Sequence, residues 1–218
     1  DVSGPISAIT DEDVAITLTE AQLLANASDV DGDDLSVQNL AASNGAITDN
    51  GDGTFTFTPD ENFNGTMDLT FDVSDGTTTT PATGSITVTP VNDAPEAGNV
   101  DLGATLEDTG VTITSAQLLA NSSDVDGDTL SVSDVTVDPA FGTITDNGDG
   151  TFTFNPAANV NADDVQLSFT VSDGELTDTA SATIDITAVN DGPDVSGPIS
   201  AITDEDVAIT LTEAQLLA

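Results

Sequence analysis

The sequence predicts an all-β protein of seven-stranded sandwiches arranged in tandem, and three observations carry that expectation. Apolar residues come in short runs, many alternating with Thr, Ser or Asp, which is the period of a half-buried strand. Turn-forming pairs such as Asn-Gly and Asp-Gly separate the runs. The chain also repeats itself: LLANASDVDGDDLSV at residues 23–37 returns as LLANSSDVDGDTLSV at residues 118–132, 95 residues later. Repetition on that scale divides 218 residues into ordinary small domains rather than one large one.

In the first copy, residues 6–9 suit strand A, and Asp11-Glu12-Asp13 forms an acidic turn. Residues 14–18 alternate as strand B, and Thr19 can cap a helical turn over residues 20–24 ahead of the aspartate loop. Strands C and D follow at residues 35–40 and 46–48. The DNGDG pentapeptide at residues 49–53 then predicts a hairpin into strand E at residues 54–58. Phe55 and Phe57 lie two apart, and therefore on one face, the core face. An irregular stretch, residues 59–65, leads to strand F at 69–73, a Ser-Asp-Gly turn and strand G at 85–88. The threonine run at 77–80 reads as an irregular edge of the FG turn. Phe71, Phe152, Phe154 and Phe169 sit on strands like Phe55 and Phe57, and read as core. Seven antiparallel strands of this length suggest an immunoglobulin-like sandwich.

The second copy repeats the plan with DNGDGTFTF at 146–154 and VSDG at 171–174. VNDAP (91–95) and VNDGP (189–193) close the copies, and their brevity and prolines make neighbouring domains nearly touch. Residues 1–25 recur unchanged as 194–218, which implies that a two-domain block was duplicated within a longer array. The expected domains are thus residues 1–93, residues 94–191, and the opening of a third repeat at 192–218.

The chain has 40 Asp and Glu and no Lys, Arg or His, a formal charge of −40. Such a field repels nucleic acid and anionic membranes, and it requires an external cation. No cysteine is present, so neither disulfides nor thiolate metal sites are available. No apolar run approaches membrane-spanning length. Catalysis has few candidates, because only carboxylates could act as acid or base and no Trp or Tyr could stack on a sugar.

The sandwich topology sorts the acidic turns by pole. The near pole of the second copy holds Asp124, Asp126 and Asp128 in the BC loop, Asp173 in the FG turn, and the linker residues Asn92 and Asp93. The far pole of the first copy holds Glu12 and Asp60 or Glu61, and both poles face one junction. Calcium takes six to eight hard oxygens, and a donor set of carboxylates and amides without imidazole or thiolate favours it. An EF-hand does not fit, because Gly32 is the fourth loop residue and Leu40 stands where its glutamate belongs. Clustered aspartates without a cation repel one another, so the metal-free junction is expected to be open or floppy.

The combination LLAN-x-SDVDGD, DGTFTF-x-P, VSDG and VNDAP resembles the bacterial cadherin-like repeats of giant RTX-type adhesins, across both copies and the terminal fragment. The resemblance implies a Ca²⁺-binding sandwich that serves as an extracellular cell-surface spacer, exported by a type I route. It implies Glu12 and Glu107 as AB-turn ligands, Asp29, Asp31, Asp33 and their counterparts Asp124, Asp126 and Asp128 as BC ligands, and Asp75 and Asp173 as FG ligands. Asn92 with Asp93, and Asn190 with Asp191, match the linker pair, while Glu205 repeats Glu12 in the terminal segment. The first copy has Asp68 entering strand F where the second has Gln166. The alternative to a spacer is a module that itself grips a ligand or assembles into an extracellular fibre, since residues 207–211 need a sheet to join.

Overall fold

A computed structural model describes residues 1–192 and 200–216. The chain is all-β, and it falls into two compact units. The first unit comprises Asp1–Gly98, Leu119–Ser133 and Thr170–Ala180. It therefore joins the whole first repeat and the following linker to the BC and FG loops of the second repeat. The second unit comprises Asn99–Leu118, Asp134–Phe169 and Ser181–Ala218.

The first repeat is built from β1 (Ile6–Asp11), β2 (Ile16–Thr19), α1 (Glu20–Leu23), β3 (Ser36–Ala42), β4 (Gly45–Asp49), β5 (Thr54–Pro59), β6 (Gly65–Ser74) and β7 (Thr79–Thr89). One sheet has the order β1-β7-β6-β3 and the facing sheet β2-β5-β4. The second repeat follows with β8 (Val100–Leu106), β9 (Val111–Thr114), α2 (Ser115–Leu118), β10 (Ser131–Val137), β11 (Gly142–Asp146), β12 (Thr151–Pro156), β13 (Ala162–Ser172) and β14 (Thr177–Thr187). Its sheets have the orders β10-β13-β14-β8 and β11-β12-β9.

Alternation places one face of each strand in the core. Leu18, Phe57, Met67, Leu69, Phe71, Val73, Ile86 and Val88 are buried together in the first repeat, and Leu23 joins them from α1. Phe152, Phe154, Val165, Leu167, Phe169, Ile184 and Ile186 are the corresponding buried side chains of the second. Phe55 is only half-buried. The helical turn is fixed as its sequence suggests: Gln22 N donates to Thr19 Oγ1 at 3.2 Å, and Thr19 N donates back to Gln22 Oε1 at 2.8 Å.

Two expectations need correction. The strands are not all antiparallel, because β1 runs parallel to β7 from Ile6↔Gly84 to Asp11↔Thr89. Gly84 makes this close pairing possible, since a Cβ there would lie 2.5 Å from the Ile6 side chain. The last two strands of the repeat are also much longer than their apolar runs. β6 and β7 pair from Gly65↔Val88 to Ser74↔Thr79, so Thr79 and Thr80 belong to the ladder rather than to an irregular edge. A strong partner extends a strand past the point where its own sequence ceases to alternate.

Among the described residues after 199, only α3 (Glu213–Leu216) is regular, and residues 207–211 form no strand. Pro193 of the second linker, with residues 194–199 and 217–218 of the expected third repeat, lies outside the described residues.

Candidate metal centre

The turn after β1 begins with Glu12, which is only 3% exposed. Burial of a carboxylate requires donors. Val91 N supplies one to Oε1 at 2.5 Å, and Asn64 Nδ2 supplies another to Oε2 at 3.4 Å. The second repeat builds the same corner: Glu107 is 5% exposed and accepts from Val189 N at 2.7 Å.

In the first unit, the linker brings Asp93 to Glu12, and the BC loop brings Asp126. One oxygen from each of these three carboxylates lies within 4.8 Å of the others. Among the described residues this is the one acidic or histidine-type group of such closeness. Asp93 N donates to Asp126 Oδ2 at 2.9 Å, and Asn92 Nδ2 donates to Asp173 Oδ2 at 2.9 Å. An open cavity of about 530 Å³ adjoins the group, lined by Glu61, Asn62, Asp93, Glu96, Asp124 and Val125 among others.

The electrostatics are those of a site built for positive charge. Desolvation, followed by the charges of Asp126, Asp13, Glu12 and Asp124, holds the Asp93 carboxyl above its ordinary range. Asp173 lies on the other side of its usual value, lowered first by the Asn92 amide and then by the N–H groups of Glu175 and Leu176. The Oδ2 atoms of both Asp93 and Asp124 are buried without a hydrogen-bond partner. Two orphaned carboxylate oxygens beside a cluster of three carboxylates, in a chain without cationic side chains, fit a hard oxygen-seeking cation.

The other residues singled out in the sequence are placed as follows. Asp124 and Asp29 shape their own loops: Asp128 N donates to Asp124 Oδ1 at 3.1 Å, and Asp31 N and Asp33 N donate to Asp29 Oδ1 at 2.8 and 3.2 Å. Asp31, Asp33 and Asp128 are exposed. Asp75 accepts from Thr77 N, Thr78 N and the Thr78 hydroxyl, each at 2.7 Å. Those bonds lower its pKa to about 2. Asp60 is exposed and does not line the cavity, whereas its neighbour Glu61 does. Asn190 Nδ2 donates to Asp191 O at 3.1 Å, and both residues are exposed, as is Glu205.

Three residues that assist the group were not legible from the sequence. Asn64 orients Glu12, Asp13 accepts from Asn62 N at 3.2 Å, and Asp178 accepts from Ala97 N at 3.0 Å. Asp178 has Thr80 as its counterpart in the first copy, so the internal repeat gave no signal for it.

No curated protein matches the chain. Among solved structures, the first two cadherin repeats of human protocadherin-24 align with a TM-score of 0.50 and 20% identity, over 84% of this chain and 95% of that one. The human desmocollin-1 ectodomain aligns with a TM-score of 0.46 and 14% identity, over 87% of this chain and 40% of that one. An endo-fucoidan hydrolase of glycoside hydrolase family 107 aligns with a TM-score of 0.34 and 23% identity, over 86% of this chain. This chain spans 28% of that hydrolase's length. At these identities the likeness shows the fold alone. Among the described residues, no helix is long and apolar enough to cross a membrane. The cadherin-like domain family matches residues 2–89 and again 91–187, and the chain belongs to that family.

Proposed function

We propose that this chain is a calcium-binding spacer from a large extracellular bacterial adhesin of the RTX type, in which Ca²⁺ stiffens successive cadherin-like repeats. The observation that carries this reading is the Glu12, Asp93 and Asp126 group, within 4.8 Å and fed from an AB turn, a linker and a BC loop. Cadherin-like domains are extracellular, adhesion-type modules and typically non-enzymatic, which agrees with a mechanical role.

When bound, calcium supplies the positive charge that neutralises these carboxylates. Glu12, Asp93 and Asp126 would hold it, with Asp124 and Asp173 alongside and Asn92 orienting Asp173. Asp29, Asp31, Asp33 and Asp75 are the matching near-pole ligands of the first repeat. Asp60 belongs to the far-pole set, Glu107, Asn190 and Asp191 are the components of the next junction, and Glu205 repeats the role of Glu12 in the third repeat. The working domains are residues 1–93, 94–191 and 192–218. Because ligands come from segments that are distant in the chain, binding couples to folding and adds stability in proportion to occupancy.

Calorimetry and small-angle scattering test the reading together. Adding EDTA should lower the melting temperature by several degrees, as a loss of roughly 1–3 kcal/mol does in a domain of this size. It should also change the maximum particle dimension. A melting temperature and a dimension that both ignore EDTA would sink the proposal.

A further inference from the structure

The linker's hydrogen bonds change direction at one step. Val91 N points back to Glu12 Oε1 at 2.5 Å. From Asn92 onward the donors go to the second repeat. Asn92 Nδ2 bonds Asp173 at 2.9 Å, Asp93 N bonds Asp126 at 2.9 Å, Glu96 N bonds Ser123 O at 2.8 Å, Ala97 N bonds Asp178 at 3.0 Å, and Gly98 N bonds Ser122 Oγ at 3.2 Å. Ser123 N returns a bond to Glu96 O at 3.0 Å.

Steric fit reinforces these bonds. A Cβ on Gly98 would lie 2.0 Å from the Asn121 carbonyl oxygen, so only glycine lets the linker lie this close to Asn121. The same clasp exists in the first repeat, where the Asp1 amino group donates to Ser28 O at 2.7 Å and Ser28 N donates to Asp1 O at 2.9 Å. Asp1 and Ser28 stand where Glu96 and Ser123 stand 95 residues later. The two repeats thus form the clasp at matching positions.

We propose that residues 92–98 are a rigid part of the second repeat and that the junction bends at the Val91–Asn92 step. Pro90 has a fixed φ and Val91 N is held by Glu12, so the freedom there lies in ψ of Val91 and φ of Asn92, the two torsions that flank the step. Glu12 stands on one side of that step, while Asp93 and Asp126 stand on the other and move together. On the calcium reading above, the ion is a latch across a single hinge. It closes on carboxylates whose N–H clasps have already placed them, so it does not need to order the linker.

Residual dipolar couplings on the calcium-free protein test this directly. The amides of residues 93–98 should fit the alignment tensor of the second repeat and fail to fit that of the first. Couplings that fit the first repeat, fit neither, or give one common tensor for both repeats would each overturn the proposal. Gly98→Ala should release residues 93–98 from the second repeat's tensor while the rest of that repeat still fits it. Unchanged couplings in that variant would overturn the part assigned to the close approach. Calcium added afterwards tests the cation reading separately: tensors indifferent to calcium count against the latch, while the linker's assignment stands on the calcium-free couplings.

Discussion

Asp93 meets Asp126 in two opposite ways. Its amide donates to Asp126 Oδ2 at 2.9 Å, while its own carboxylate belongs to the same group of acids within 4.8 Å. The main chain attracts what the side chain repels, so the two residues are held in place with unneutralised charge. The N–H donor that offsets the repulsion comes from the linker.

Asp126→Asn tests the sign of that balance. The substitution removes one charge but keeps an oxygen to accept from Asp93 N. In EDTA the variant should melt higher than the parent, and in calcium it should melt lower. Its calcium affinity, measured by isothermal titration, should fall at least about tenfold, the scale on which a lost or misoriented metal-site partner is felt.

Glu12→Ala should destabilise the protein even in EDTA. It leaves Val91 N–H without its acceptor at a site where Glu12 is 3% exposed, and an unmet buried donor costs about 1–3 kcal/mol. Glu12→Gln retains an acceptor and should lose calcium binding with a smaller change in EDTA stability. Thermal denaturation of the two variants with and without calcium separates the roles of hydrogen bond and charge.

Acid should act on the protein through two aspartates of opposite behaviour. Asp93 has a raised folded pKa, so its contribution to stability is present when it is protonated and is lost as pH rises through that value. Calcium affinity should therefore begin to fall above the ordinary 3.8 as pH is lowered, because Asp93 takes a proton first. Asp75 has a folded pKa of about 2 against 3.8, so its contribution is present above 3.8 and is lost as pH falls toward 2. NMR titration of the two carboxyl carbons in EDTA should show midpoints on opposite sides of 3.8.

Much of the fold was legible because its strands obey local rules. Phe57 and Phe154 announce core strands by alternation, and Asn50-Gly51 and Asn147-Gly148 announce the hairpins. Gly51 and Gly148 both adopt φ of +75°, a conformation that suits glycine. The aspartate loops were legible as clusters of charge. What each aspartate does was less so: Asp29 and Asp124 use one oxygen to tie their own loops. Asp60 and Glu61 are adjacent in sequence, yet only Glu61 lines the cavity.

The sequence by itself determined the composition of the problem: repeats of alternating strands, a surplus of carboxylates with no cation to answer them, and short proline-bearing linkers. Tertiary structure decided which groups meet. The parallel seam of β1 on β7, the approach of Asn64 to Glu12 across 52 positions, and the bond from Ala97 to Asp178 across 81 all depend on partners remote in the chain. Local preference sets which residues form a strand or a turn, but a charge in a loop acquires its role from the donors and acids that folding places around it.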